Sequence, residues 1–167
     1  MKKIGLLSDT HGTIHPRLKD FFRDCDEIWH AGDLGNEAVV EQLEAIKPLR
    51  AVYGNIDGNI LRKDFPEYAL FEIEGLRVLM IHIGGYPGHY STMARELIKK
   101  YRPGLFISGH SHILKVIPDS KNDLLHINPG AAGSSGFHKN ITMVRFTINK
   151  GRVEDLDVLD IDRNKRI

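Results

Sequence analysis

The first half of the chain alternates between short apolar runs and amphipathic segments. Residues 16–24 place apolar side chains at helical spacing behind Pro16, a residue favoured at the first position of a helix. Residues 36–46 keep one apolar face and begin with Asn36, a good N-cap. Three apolar runs have the length of buried strands: residues 3–7, 27–30 and 49–53. This order predicts alternating strands and helices.

The second half predicts mostly antiparallel strands. Residues 68–73 and 77–81 flank Glu74-Gly75 and predict a hairpin, and residues 91–101 predict a helix capped by Ser91. Further strand-like runs cover residues 105–108, 114–117, 124–127, 141–148 and 153–159. Together the two halves predict a mixed α/β fold in which two β-sheets pack face to face with helices outside.

Size and composition exclude several classes of protein. The chain has 167 residues, which predicts a single domain over residues 1–167. Its net charge of +1 lacks the basic excess of proteins that bind long nucleic acids. The single cysteine, Cys25, excludes an intrachain disulfide and a four-cysteine zinc site. No apolar stretch suits a signal peptide or a membrane span, so we expect a cytoplasmic protein that does not bind membranes.

Side chains that can bind metals follow one predicted strand after another. In open α/β sheets, ligands bind beyond the carboxyl ends of the strands, so these side chains are expected to converge. Two of the segments are Asp-x-His and His-x-His, and in an extended chain residues i and i+2 point the same way. The candidates are Asp9, His11, Asp33, Asn55, Asp57, His82, His110 and His112.

Each candidate also has a purely structural interpretation. Asp9 could cap a turn, Asp33 could cap the next helix, Asn55 could be a left-handed turn residue, and His82 could be a hydrogen-bonded core histidine. A metal site explains all of them by one cause. Without Asp57, the candidates are seven residues. One four-coordinate ion needs only four ligands, so this number favours two ions. A ligand set with four histidines and no cysteine favours divalent Mn, Fe, Co, Ni or Zn over Mg or Ca. Among these metals we expect Mn first.

Other residues keep two interpretations open. Asp57 is either a hydrogen-bond acceptor behind Asn55 or a turn residue, and His30 either supports a ligand or belongs to the core. The glycine-rich residues 130–136 lack the lysine of a phosphate-binding loop and predict a structural turn near the site. His138 is a surface or core histidine, although its loop could bring it to the pocket.

The motifs together resemble the calcineurin-like metallophosphoesterases. These motifs are Asp-x-His at 9–11, Gly-Asp at 32–33, Gly-Asn-x-Asp at 54–57, His82 at a strand end and Gly-His-x-His at 109–112. The short length, Gly-Asn-Ile-Asp and Asn-Pro-Gly at 128–130 are similar to the YfcE-type phosphodiesterase branch, which includes the Vps29 scaffold proteins. The resemblance implies a four-layer α-β-β-α sandwich. It also implies one ion held by Asp9, His11, Asp33 and His112, and a second held by Asp33, Asn55, His82 and His110.

The resemblance implies an enzyme that hydrolyses small phosphodiesters. A hydroxide bridging the two ions would attack phosphorus in line, while Asn55 orients the phosphate with Asp57 behind it. Ile56 stands where many relatives have a histidine that protonates the leaving group, so leaving groups of low pKa are expected to react best. A Vps29-like interaction scaffold with a vestigial metal site is the alternative. The resemblance also favours a homodimer or small homo-oligomer.

Overall fold

The computed structural model describes residues 1–165 and contains two five-stranded sheets. The first sheet has the order β10-β9-β1-β2-β3, and the second has the order β4-β5-β6-β8-β7. The strands are β1 (Lys2–Leu7), β2 (Glu27–His30), β3 (Leu49–Ala51), β4 (Tyr68–Ile73), β5 (Leu76–Ile81), β6 (Leu105–Ile107), β7 (Leu114–Asp119), β8 (Leu124–Pro129), β9 (Asn140–Asn149) and β10 (Arg152–Asp162).

The sheets pack face to face because their central strands are apolar on both sides. Along β1, Ile4 and Leu6 point into the layer between the sheets, whereas Leu7 packs under the helices of the first sheet. Along β5, Met80 lies in the same central layer, whereas Leu79 packs on the other side of the second sheet. Successive side chains of a strand point to opposite faces, so a continuous apolar run can serve two cores. The predicted α-β-β-α sandwich is therefore confirmed.

In the part of the chain that the structure describes, four helices cover the outer faces: α1 (Leu18–Phe21), α2 (Glu37–Glu44), α3 (Asn59–Asp64) and α4 (Thr92–Tyr101). The predicted caps are confirmed, because Asn36 accepts a hydrogen bond from the amide of Val39 and Ser91 accepts one from Ala94. The helix predicted over 16–24 is shorter, because the chain turns after α1 to enter β2.

Helix α3 was not expected. It spans six residues, and only Leu61 among them is buried, which leaves no helical periodicity to read in the sequence.

One edge of the sandwich collects the carboxyl ends of six strands. Strands β1, β2 and β3 run parallel in the first sheet, as do β5, β6 and β8 in the second. The loops that leave these strands therefore meet across the two sheets. Every residue proposed from the sequence as a metal ligand lies in one of these loops.

Candidate metal centre

A first group of side chains surrounds a common point at this edge. Asp9, His11 and His112 each offer one ligand atom, and these atoms all lie within 4.8 Å of one another. Oδ1 of Asp9 is 3.1 Å from Nε2 of His112 and 3.5 Å from Nε2 of His11. Ligand atoms about 2.1 Å from a shared ion lie roughly 3.4 Å apart in a tetrahedral shell. The group therefore has the dimensions of a site for one ion.

A second group lies beside the first. Asp33, His82 and His110 also offer ligand atoms within 4.8 Å of one another. The Oδ1 atom of Asn55 is 3.0 Å from Nε2 of His82 and 3.0 Å from Nδ1 of His110. Four side chains from four different loops thus converge on a second common point.

Asp33 connects the two groups. Its Oδ2 lies 3.1 Å from Nε2 of His82 in the second group and 3.3 Å from Nε2 of His11 in the first. Its Oδ1 accepts a hydrogen bond from the amide of Ile56, which holds the carboxylate in place. Gly54 lies so close to Asp33 that a side chain at residue 54 would collide with the carboxylate. Asp33 is therefore the residue placed to serve two ions at once.

The hydrogen bonds around these groups leave lone pairs facing one another. Nδ1 of His82 donates to the carbonyl oxygen of Ala31 at 2.7 Å, so Nε2 of the neutral ring carries a lone pair aimed at Asp33. Within residues 1–165, Oδ1 of Asp9 and Nε2 of His11 are buried without a hydrogen-bond partner. Facing acceptors need a proton or a cation between them. Because the donors are imidazoles, carboxylates and an amide, they fit divalent transition metals.

The charges of the two groups shift the pKa values of their members. Burial alone would raise the pKa of Asp9, but the close imidazoles of His11 and His112 hold it far below its usual range. Burial opposes the charged form of His82, yet the hydrogen bond with Asp33 and the nearby carboxylates raise its pKa overall. The close carboxylate of Asp9 likewise raises the pKa of His11. Without metal, these charges therefore favour the protonated forms of His11 and His82.

The backbone of the site is left-handed at many ligand positions. Ten non-glycine residues among residues 1–165 have positive φ. Half of them belong to the two groups: Asp9, His11, Asp33, His110 and His112. Left-handed backbone is costly for such residues and concentrates at functional sites.

These angles correct the expectation that Asp-x-His and His-x-His are extended. The chain turns at both histidines of Gly-His-Ser-His, with φ of 71° at His110 and 63° at His112. As a result, the two rings separate, and each joins a different group. The segment therefore bridges the two groups instead of offering both rings to one centre.

Asp57 supports the loops of the site and stands behind its ligands. Its buried carboxylate accepts hydrogen bonds from the amides of Gly54, Leu34 and Gly35 at 2.8–3.2 Å. These amides belong to the loops that carry Asn55 and Asp33. Asp57 thereby ties the loop after β2 to the loop after β3, which is a positioning role.

His30 is a buried neutral imidazole below the site. Its Nδ1 accepts from the amide of Gly32, so Nε2 carries the proton and donates to Oγ1 of Thr10. Burial lowers the pKa of His30 to about 3. The Thr10 hydroxyl in turn donates to the carbonyl of Leu34, so His30 fastens the loop after β1 to the loop after β2.

His138 supports a candidate ligand from the opposite side. Its Nε2 donates to the carbonyl of Gly133 at 2.7 Å, so its Nδ1 is an acceptor, and Nδ1 of His112 lies 3.2 Å away. His112 must then donate from Nδ1 and direct the lone pair of Nε2 at Asp9. Burial lowers the pKa of His138, which keeps this acceptor unprotonated. The sequence had left His138 between a surface, a core and a pocket position, and the structure places it against the site.

Replacing His138 with alanine is expected to weaken metal binding while the fold is retained. Loss of such an outer partner of a metal-binding histidine typically costs about 10–100-fold in affinity. Zinc affinity measured by competition with a chromophoric chelator should fall by about that factor at one of two sites. His15→Ala is the matched control, because the His15 ring lies outside both groups and accepts a hydrogen bond from the amide of Arg17. Unchanged affinity in His138→Ala would contradict the role.

The structure brings together all seven side chains proposed from the sequence as ligands, and it places Asp57 behind them. Their roles as ligands stay a prediction. The glycine-rich residues 130–136 lie against the site, since the amide of Gly133 donates to the carbonyl of Asp9. Cys25 is buried, and burial raises the pKa of its thiol to about 11, which excludes a reactive thiolate at neutral pH.

Sequence comparison assigns the chain to a family. The calcineurin-like phosphoesterase superfamily domain matches residues 1–151, so the chain belongs to this superfamily. A probable metallophosphoesterase of Methanothermobacter thermautotrophicus is 35% identical over 133 residues, which cover 77% of this chain and 76% of that relative. A second probable metallophosphoesterase, from Methanocaldococcus jannaschii, is 31% identical over 135 residues, or 77% of this chain and 67% of that relative. The resemblance to the calcineurin-like metallophosphoesterases is confirmed, and the family implies divalent metal ions.

Solved structures share the fold. An archaeal phosphodiesterase superposes with a TM-score of 0.74 at 25% identity, covering 94% of this chain and 99% of that one. Vps29 of Entamoeba histolytica superposes with a TM-score of 0.75 at 15% identity, covering 96% of this chain and 99% of that one, a likeness that concerns the fold alone. Within residues 1–165, no helix is long and apolar enough to cross a membrane.

Proposed function

We propose that this chain is a phosphodiesterase that works with two divalent metal ions on small substrates. The observation that carries the proposal is the position of Asp33, whose Oδ2 faces His11 in one group and His82 in the other. One ion would be held by Asp9, His11, Asp33 and His112. The other would be held by Asp33, Asn55, His82 and His110.

When bound, two divalent cations would polarise a phosphoryl oxygen as Lewis acids and would lower the pKa of bound water to about 7. Asp9 and Asp33 are the only carboxylates among the proposed ligands, so the loaded site carries about two positive charges, which suits a phosphodiester anion. Asn55 contributes an amide at the rim, where it would orient a phosphate oxygen. The neutral imidazole of His30 fixes the loops after β1 and β2. The neutral imidazole of His138 orients the ring of His112.

The residue beside Asn55 affects which leaving groups can depart. Ile56 follows Asn55 and is 47% exposed, so an apolar side chain stands where a proton donor would be useful. Without a donor at residue 56, a leaving group of low pKa departs more readily than an alkoxide. Activated aryl diesters are therefore the substrates of choice for a first assay.

Hydrolysis of bis(p-nitrophenyl) phosphate tests the proposal. With added Mn²⁺ we expect turnover that a chelator removes and fresh Mn²⁺ restores, and slower hydrolysis of p-nitrophenyl phosphate. His112→Ala should lose at least about 100-fold, since outer partners of metal ligands alone account for 10–100-fold. His15→Ala should retain activity.

Exposed apolar side chains around the centre support the alternative of an interaction scaffold. Ile56, Ile83 and Ile113 each follow a proposed ligand directly and are 46–55% exposed, so apolar side chains surround the centre. A partner protein could cover such a rim. A folded protein that binds two ions but hydrolyses no diester with Mn²⁺, Co²⁺, Ni²⁺ or Zn²⁺ would favour the scaffold over the enzyme.

A further inference from the structure

A cavity of about 220 Å³ opens beside His110, next to the second group of proposed ligands. Much of its wall is backbone, supplied by Gly84, Gly85 and Gly109. Besides His110, its polar lining side chains are those of Tyr86, His89, Ser91, Ser111, Lys115 and Asn128. Since His110 forms part of the same wall, a molecule bound at the metal centre can extend an arm into this cavity.

Lys115 is the only permanently charged side chain among the described residues that line the cavity. It is half-buried, and none of the ion pairs found within residues 1–165 involves it. Its Nζ lies 3.2 Å from the centroid of the Tyr86 ring, a cation–π contact between two residues of the cavity wall. An ammonium group has three N–H donors, so this contact leaves Lys115 able to bind an anion.

Ser111 presents a second donor to the same cavity. Its Oγ accepts hydrogen bonds from the amide of Ile113 at 3.2 Å and from Nδ2 of Asn128 at 3.0 Å. These two bonds use both lone pairs, so the hydroxyl proton is left to donate outward. Asn128 is itself fixed, because Nδ2 also donates to the carbonyl of Gly109 and Oδ1 accepts from the amide of Gly130.

We propose that this cavity binds a second anionic group of the substrate, a carboxylate or phosphoryl group on one ester arm, through Lys115 and Ser111. The inference rests on the proposed function, because the first phosphoryl group is taken to lie at the metal centre. Among the described residues, the lining of the cavity holds one permanent cation, Lys115, and no carboxylate, which favours an anion over a neutral or cationic arm. The substrate class is thereby narrowed to diesters whose arm ends in a negative charge.

Binding tests the cavity without turnover. Propyl phosphate and 3-carboxypropyl phosphate are titrated into the zinc-loaded protein, followed by the NMR amide shifts of Ser111 and Lys115. The carboxylated ligand should bind about tenfold more tightly, the usual effect of one hydrogen-bonded ionic contact. Lys115→Gln should abolish this preference. Lys100→Gln is the matched control, because Lys100 also lies over a tyrosine ring, that of Tyr101, but outside the cavity.

Turnover is measured separately with three p-nitrophenyl diesters whose second arm is propyl, 3-carboxypropyl or choline. We expect kcat/KM to be highest for the anionic arm and lowest for the cationic arm, with the order lost in Lys115→Gln. Equal binding of the two phosphates by the wild-type protein, or a preference that survives in Lys115→Gln, overturns the cavity proposal. A preserved binding preference without hydrolysis of any diester would instead overturn the proposed function and leave the anion site standing.

Discussion

The variant Asp33→Asn is expected to lose at least about 100-fold in diester turnover and to bind fewer than two metal ions. Oδ2 of Asp33 lies 3.1 Å from a ring nitrogen of one group and 3.3 Å from a ring nitrogen of the other, so its charge is shared by both proposed ions. Asparagine preserves the shape, and its oxygen can still accept the hydrogen bond from the amide of Ile56. It also tolerates the φ of 58° at this residue. The substitution therefore removes the negative charge while the conformation of the loop is kept.

Turnover of bis(p-nitrophenyl) phosphate and metal content by mass spectrometry check this result together. Asp20→Asn is the matched control, because Asp20 is an exposed carboxylate paired only with Arg23 on the surface of α1. The control should retain two ions and full activity. An Asp33→Asn protein that kept two ions and wild-type turnover would show that Asp33 does not join the two sites.

Metal removal is expected to lower the melting temperature at about pH 8 by roughly 10 °C and to leave a pH-dependent contribution of His11 and His82 to stability. The pKa values of His11 and His82 are raised above 6.5 in the metal-free protein. The stability that they contribute is complete below the pKa of the unfolded chain and is lost as pH rises through the folded values. Asp9 and Asp33 have lowered pKa values, so their contribution is present above about 3.8 and is lost only in acid.

Between pH 6 and pH 8 the metal-free wild-type protein should therefore lose stability relative to the metal-free His82→Gln variant, by roughly 2–4 °C of melting temperature for each kcal/mol lost. The lowered pKa values of His30 and His138 act in the opposite direction, but they are common to both proteins. The zinc-loaded protein should melt at a lower temperature at pH 6 than at pH 8, because protons compete with metal for the imidazoles at low pH. Turnover should fall below about pH 6 for the same reason. Calorimetry with and without chelator measures the melting temperatures of wild-type and His82→Gln protein at both pH values. Metal-free wild-type and His82→Gln proteins whose melting temperatures changed equally between pH 6 and pH 8 would contradict this account.

Much of the fold could be predicted because its information is local. The apolar runs of β1 and β5 are short and continuous, as strands with two buried faces require, and both are present as expected. Asn36 and Ser91 start their helices through hydrogen bonds to residues three positions away, so the caps can be read from the sequence. Helix α3 could not be predicted, because one buried leucine in six residues gives no helical periodicity.

The residues of the candidate site could also be predicted from the sequence, for a physical reason. Parallel strands bring their carboxyl ends to one edge, so residues that follow such strands meet wherever the strands lie side by side. Asp9, Asp33 and His82 follow three different strands, and Nε2 of His82 lies 3.8 Å from Oδ1 of Asp9 and 3.1 Å from Oδ2 of Asp33. The chemistry of the site thus follows from residue type and from position relative to each strand.

Sequence alone determined the layer order, the helix caps and the set of residues that could bind metal, because each depends on neighbours along the chain or on the ends of strands. Tertiary structure alone decided the rest. The left-handed turns that send His110 and His112 to different groups exist because packed loops hold the backbone there. The contact of His138 with His112 spans 26 positions, and the contact of Lys115 with Tyr86 joins two separate segments. Such contacts depend on how elements pack in space, which no local pattern encodes.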